Sequence, residues 1–145
     1  MSNDIVEIKW ESTSPAYREP IKLHECDAGW DLKSDCGSGP LFPAIRYSIG
    51  TGVKAAIPKG YFGQIVGRSS MALKGLMVFT GTVDSGYRGE IRVVIQNISM
   101  APVDVKCGDR IAQLLILPVP EVKWVEVDHL DETDRGTNGF GSTGR

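Results

Sequence analysis

A carboxylate and an aromatic ring share one glycine-punctuated turn, Gly81-Thr82-Val83-Asp84-Ser85-Gly86-Tyr87-Arg88-Gly89-Glu90-Ile91. Asp84 has the chemistry of a general base for a water, and Tyr87 offers a face on which a planar ligand can stack. Glycines at 81, 86 and 89 let the main chain come close enough for its N–H and C=O groups to read that ligand. Asp, Gly and Ser are also ordinary turn residues, so the stretch taken alone reads first as a surface turn.

A second set of residues suits anions. Gly67-Arg68-Ser69-Ser70-Met71-Ala72-Leu73-Lys74-Gly75 predicts the one short helix, with a serine as N-cap and Gly75 closing it. Free N–H groups at its start, with Arg68 and Ser69, fit a phosphate; the local alternative is a capped turn carrying a surface arginine. Arg110 and Gln113 are the polar exceptions in the apolar run that ends at Pro118. Gln113 must find a partner or reach a wet site, because an unpaired buried amide is costly. Asp31, within Asp27-Ala28-Gly29-Trp30-Asp31-Leu32, reads by itself as a turn or strand-end carboxylate.

The segment from Asp134 to Arg145 contains almost no core-forming residues, and its default reading is a disordered tail. A lone Phe140 among glycines, with Arg135 before it and Gly141-Ser142-Thr143 after it, is also what a mobile lid over phosphates needs. It is not a Walker loop: no Gly-Lys-Ser/Thr follows and no strand–helix unit surrounds it.

The elements that must position these groups are mostly strands. Ile5–Trp10 alternates and predicts a first strand, and Glu11 to Pro20 a loop. Gly37 to Pro43 predicts a turn, followed by short strands at Ile45–Ile49, Val53–Ile57 and Tyr61–Val66, the last two joined by Pro58-Lys59-Gly60. Leu76–Phe79 and Ile91–Ile95 predict the arms of a hairpin whose tip is the Asp84 turn. Asn97 to Pro102 turns the chain, and Val119 to Val127 predicts a final alternating strand. Many short strands at this spacing indicate an all-β barrel or sandwich rather than βαβ units.

Composition narrows the class. Sixteen basic against 18 acidic residues leave a formal charge of −2, which argues against a nucleic-acid surface. No apolar stretch is long enough to span a bilayer, and Met1-Ser2-Asn3-Asp4 begins no signal peptide, so a reducing, intracellular (cytoplasmic) setting is expected. Cys26, Cys36 and Cys107 are odd in number and lack metal-ligand spacing, and His24 and His129 are isolated. Buried or inert thiols are expected, not zinc or a disulfide framework.

Taken in order, Asp27 to Leu32, Gly67-Arg68-Ser69-Ser70, Gly81 to Gly89, Gly108-Asp109-Arg110-Ile111-Ala112-Gln113-Leu114, and Arg135-Gly136 with Gly139 to Gly144 resemble the five motifs of the trimeric dUTP pyrophosphatases (dUTPases). The resemblance implies a distorted jelly-roll or β-barrel subunit with one short helix, residues 1–133. A flexible C-terminal arm, residues 134–145, would close over a site, and the assembly would be a homotrimer. It further implies hydrolysis of dUTP to dUMP and pyrophosphate with Mg²⁺ on the triphosphate, which limits uracil in DNA and supplies dUMP for thymidylate synthesis.

Roles then carry over onto the matching positions. Asp84 becomes the general base for water attacking the α-phosphorus. Arg68, Ser69, Ser70 and Gln113 hold phosphate oxygens, and Arg135 clamps the γ-phosphate. Asp31 acts indirectly, through Mg²⁺-bound water or by fixing Arg68. The backbone of Gly81, Thr82 and Val83, with main chain near Arg92, reads uracil; Tyr87 excludes a 2′-hydroxyl; Phe140 caps the base, with Gly141, Ser142 and Thr143 beside it. The chain departs from the family pattern at Trp30, at Thr82 where an aliphatic is common, and at Ser70 where glycine is frequent.

Two other functions were weighed. The related dCTP deaminases need a glutamate on the strand after the hairpin, where this chain has Val94, and valine cannot transfer protons. A non-enzymatic nucleotide-binding or regulatory protein of the same fold would be favoured by loss of Asp84 or Arg135, and both are present.

Overall fold

In Glu90–Asn97 the alternation is complete: Ile91, Val93, Ile95 and Asn97 turn inward, Arg92 and Val94 outward. Half-buried strands of this kind need a second sheet to cover them. The computed structural model, which describes residues 4–35, 39–142 and 144, supplies it. The strands are β1 (Lys9–Ser12), β2 (Trp30–Lys33), β3 (Gly39–Leu41), β4 (Arg46–Ala56) and β5 (Tyr61–Val66). Then follow the helix α1 (Ser69–Leu73), β6 (Leu76–Val78), β7 (Gly81–Val83), β8 (Glu90–Asn97), β9 (Val103–Val105) and β10 (Arg110–Pro118).

One sheet has the order β1-β4-β8-β6, the second β2-β10-β5-β7, and β3 pairs with β9 in a short third ribbon. All of these ladders are antiparallel. The core between the sheets is aliphatic, centred on Leu32, Leu41, Ile57, Ile91, Ile95 and Ile111. Burying each such side chain contributes about 1.5–3 kcal/mol. This is the all-β, jelly-roll-type architecture with one short helix that the strand pattern and the resemblance implied.

Several local expectations change. The first strand begins four residues late, and Ile5 is exposed while Trp10 packs on the core. The two strands expected at 45–49 and 53–57 are one, β4. Gly50 and Gly52 mark a shift in its pairing with β8, with Gly52 at φ +71°, so the glycines serve a bulge instead of a turn. In α1 the N-cap position is Arg68, with no side-chain cap, and Ser69 already lies in the helix; Gly75, at φ +83°, follows its end as expected.

The hairpin arms do pair, with Val78 opposite Ile95 in the first sheet, but the connection between them does not stay there. After β6 the chain crosses to the second sheet as β7, opposite β5, before returning to β8. Val119 to Val127 joins no sheet and is exposed throughout. The reason is that β10, which precedes it, already has β2 on one side and β5 on the other. Of the thiols expected to be buried or inert, Cys26 and Cys107 are exposed. Cys26 is free, and the Sγ of Cys107 accepts from Arg18 at 3.1 Å and lies 3.0 Å from the Asp35 carbonyl. Cys36 and Thr143 lie outside the described residues.

Asn97 is the polar fastener of this core. Fully buried, its Nδ2 donates to the carbonyls of Leu41 (2.7 Å) and Ala101 (2.9 Å), and its Oδ1 accepts from Ser99 N and Oγ (2.9 and 2.7 Å). Asn97→Ala strands those partners. We expect it to lower unfolding free energy by about 2–4 kcal/mol, read as a reduced midpoint in urea.

Candidate active site

The site grows from the register of β10. Gln113 lies directly opposite Asp31 of β2 on one side and Val66, the last residue of β5, on the other. Since Gly67-Arg68-Ser69 follows Val66, three of the sequence motifs meet at one point on the second sheet. A bulge between Arg110 and Ala112 is what lets both polar residues of β10 serve it. Ile111 and Ala112 are both buried, so the inward–outward phase resets between them, and Arg110 and Gln113 end up on the outer face.

Charge then orders the cluster. The Asp31 carboxylate takes Arg68 Nε on one oxygen (3.1 Å) and Arg110 Nη1 on the other (3.3 Å). Arg68 Nη1 donates to the Arg110 carbonyl (3.0 Å), which ties the two arginines directly. Gln113 Nε2 donates to the Gly67 carbonyl (2.9 Å), so the amide has the partner it requires. Gly29 makes room for it, because a Cβ there would run into the Gln113 carboxamide. Two guanidiniums facing one carboxylate leave the cluster one positive charge in excess, partly buried, with Arg110 its most exposed member. The Ser69 and Ser70 side chains stand exposed beside it.

The hairpin end lies elsewhere in the single chain. Val83 pairs with Gly63 within β5, five residues before Arg68, which is about 17 Å along an extended strand, and β7 runs away from the Arg68 end. Asp84, one residue beyond Val83, is exposed, and its carbonyl accepts the Tyr87 N–H at 3.0 Å. The Tyr87 ring lies against Gly89, where no Cβ would fit, and its hydroxyl donates to the Glu90 carbonyl at 2.9 Å. Strand β7 is the edge of its sheet, so part of the Gly81–Val83 backbone faces away from β5. The side chain of Arg92 is engaged by Ser48 and Glu90.

The tail is a third separate part. Arg135 Nε donates to the Asn138 carbonyl (3.0 Å), and Ser142 N to the Gly139 carbonyl (2.9 Å). Phe140 projects fully into solvent at φ +51°. One chain therefore unites Asp31, Arg68, Ser69, Ser70 and Gln113, and leaves Asp84 with Tyr87, and Arg135 with Phe140, apart from them. The sequence reading undervalued Arg110 and Gly29. A charged residue at the mouth of an apolar strand was the signal for the first; the second had none beyond its motif.

Among the described residues no three His, Cys, Asp or Glu side chains cluster as a metal cage, and both oxygens of Asp31 are already ion-paired. The donor set fits Mg²⁺ as an ion carried by substrate phosphates and water, the form this hard cation prefers.

By fold and by site the chain is an all-β, jelly-roll-type protein with a cationic, phosphate-compatible cluster on one sheet. The dUTPase family model matches residues 19–144, and the chain belongs to that family. It is 47% identical over 133 residues to the deoxyuridine 5'-triphosphate nucleotidohydrolase of Leifsonia xyli subsp. xyli, covering 89% of this chain and 87% of that one. To the enzyme of the same name from Corynebacterium efficiens it is 45% identical over 147 residues, 99% of this chain and 81% of the other. Among solved structures, Staphylococcus bacteriophage 80alpha dUTPase with dUPNHPP matches at TM-score 0.89 and 28% identity, covering 96% of this chain and 99% of that one. A mutant dUTPase from phage phi11 of S. aureus, described with a structural Mg(II) ion, matches at TM-score 0.81 and 26% identity, covering 87% and 99%.

Removing the shared carboxylate leaves two guanidiniums facing each other. Asp31→Ala is expected to cost about 1–3 kcal/mol, less than a fully buried pair because solvent reaches the cluster. Urea unfolding at low and high salt checks this, and the loss should shrink as salt screens the arginines.

Proposed function

We propose that the protein hydrolyses dUTP to dUMP and pyrophosphate as a homotrimer, with each site drawing on three chains. The observation that carries the reading is the Asp31–Arg68–Arg110–Gln113 cluster, preorganised with a surplus positive charge where phosphate oxygens would lie. Phosphoryl-group chemistry is chiefly positioning and charge neutralisation, so such a cluster is the larger part of a catalyst. Arg68, Ser69, Ser70 and Gln113 hold the phosphates, and Asp31 acts by fixing Arg68, with a water-bridged contact to the ion as its other role. Mg²⁺ bound to the triphosphate would neutralise charge on the phosphate oxygens and fix their geometry.

The hairpin of a second chain brings Asp84, which orients a water and takes its proton as the oxygen attacks the α-phosphorus. The free edge of β7, from Gly81 through Thr82 to Val83, reads uracil by main-chain hydrogen bonds, and the main chain at Arg92 lies just beyond. Tight backbone refuses thymine's methyl, and cytosine presents the reversed donor and acceptor edge. Tyr87 packs on the deoxyribose and refuses a 2′-hydroxyl. Residues 134–145 of a third chain form the arm over the barrel of residues 1–133. In that arm Arg135 clamps the γ-phosphate, Phe140 stacks on the base, and Gly141, Ser142 and Thr143 line the phosphates.

Two features support assembly. In one chain the Asp84 turn leads away from the Arg68 end of β5, beyond the Val83–Gly63 pair. The unpaired segment after β10 also exposes Val122, Trp124, Val125 and Val127, with Trp124 at 94%. Contiguous apolar exposure of this kind marks a contact surface. With a nucleotide triphosphate as substrate, the protein works inside the cell.

The direct test is pyrophosphate release from dUTP, dCTP, dTTP and UTP in parallel with Mg²⁺. Release from dUTP alone is expected. Binding of dUTP without release would instead favour a nucleotide-binding regulatory role. Asp84→Asn should keep dUTP binding and lower kcat roughly 10²–10⁴-fold; near-normal turnover would remove Asp84 from the base role. Truncation before Arg135 should leave a folded protein, sedimenting near three times the 15.8 kDa chain, with little activity. Full activity in that truncation would make the arm an ordinary chain end.

A further inference from the structure

The geometry points to Glu90 as a positioning residue for sugar selectivity: its carboxylate, fastened across the β4 bulge, fixes the carbonyl on which the Tyr87 hydroxyl rests. The inference depends on the role given above to Tyr87, and it adds a residue that touches no substrate.

Both oxygens of Glu90 are committed. Oε1 accepts the Gly52 N–H at 2.9 Å, in the middle of the bulge, and Oε2 pairs with Arg92 Nη1 at 3.1 Å. Arg92 in turn donates from Nε to Ser48 Oγ (2.9 Å) and from Nη2 to the Ser48 carbonyl (2.8 Å). One residue further on, the buried Thr51 hydroxyl donates to the Ile91 carbonyl at 2.6 Å. Two side-chain bonds, Glu90–Gly52 and Thr51–Ile91, thus bind the irregular stretch of β4 to the first residues of β8, where ladder pairing lapses between Gly50 and Lys54, and the two Arg92–Ser48 bonds flank it.

That stretch of β8 is the stem of the Asp84–Gly89 turn. The Tyr87 hydroxyl reaches back to the Glu90 carbonyl at 2.9 Å, and its ring lies over Gly89. The ring is therefore located from two sides, by a glycine that leaves it room and by a carbonyl whose own residue is anchored. Without the Glu90 side chain, the Gly52 N–H loses its acceptor and Arg92 its counter-charge. The stem keeps the Thr51 bond, the Arg92–Ser48 bonds and the Glu90–Lys54 pair, but it loses its side-chain tie to Gly52 at the centre of the bulge, and the ring can shift. Refusing one hydroxyl by contact needs the ring held to a fraction of an ångström, whereas dUTP tolerates a looser wall.

The test compares kcat/KM for dUTP and UTP in the intact protein and in Glu90→Ala, Glu90→Gln, Tyr87→Phe and Tyr87→Ala, well below the unfolding temperature of each. Glu90→Ala should lower the dUTP:UTP preference about tenfold, chiefly through KM for UTP, with kcat on dUTP within about threefold. Glu90→Gln keeps an acceptor for the Gly52 N–H and should restore most of the preference. Tyr87→Phe, which loses only the bond to the Glu90 carbonyl, should move in the direction of Glu90→Ala. A merely structural ion pair would change the unfolding temperature and leave the preference alone. Should the alanine variant not fold, Glu90→Asp, too short to reach both partners, takes its place with the same expected direction. If Tyr87→Ala loses the preference while Glu90→Ala (or Glu90→Asp) keeps it, the positioning role is wrong and the reading of Tyr87 stands. If Tyr87→Ala keeps it, that reading falls and the role of Glu90 with it.

Discussion

One carboxylate held between two guanidiniums fixes the geometry of the cationic site. Asp31 lies on β2, Arg68 beyond the end of β5, and Arg110 at the start of β10, so the ion pairs join three strands that are remote in sequence. The cost of bringing two arginines together is met by sharing their counter-ion, and each guanidinium is left with N–H groups to spare. A rigid, under-neutralised pair of this kind needs little reorganisation when a polyphosphate arrives, which is the condition for electrostatic stabilisation to be effective.

The same strand register separates the chain's candidate groups. β5 ends beside the arginine cluster, with Val66 opposite Gln113, while β7 runs along its other edge from Gly81 opposite Ile65 to Val83 opposite Gly63. Asp84 therefore lies beyond the end of β7 that points away from the cluster. In the proposed trimer, a second chain's hairpin would bridge that separation.

Part of this was legible in the residues. Alternation in 90–97 and the apolar run of β10 gave the strands, and the motifs singled out Arg68 and Gln113, which the fold brings beside Asp31. What failed did so for physical reasons. Gly50 and Gly52 look like turn residues, yet a long strand used them for a bulge that only its neighbour's register reveals. The serine before Met71 has the propensity of an N-cap, but the helix starts two residues earlier than that cap implies, at Ser69 after Arg68. Val119 to Val127 alternates as a strand does, and nothing local says that both neighbours of β10 are already taken. The bulge at Arg110 is equally silent in sequence, although it decides which way the arginine points. The clamp around Glu90 was invisible because its bonds to Ser48, Thr51 and Gly52 are tertiary.

The position of β10 in its sheet also dictates when the protein can form. It sits between β2 and β5, and neither of those strands has the other as a neighbour. Since β10 comes after β2 and β5 in the chain, a nascent chain must carry an unfinished second sheet, with its apolar faces uncovered, until residues 110–118 have emerged. Distant pairings such as Leu32 with Ala112 make closure slow, in the millisecond-to-second range of sheet proteins with high contact order. The residues that follow β10 give that last central strand length to leave the ribosome and dock, so the segment proposed to serve a neighbour's active site first serves its own chain's birth.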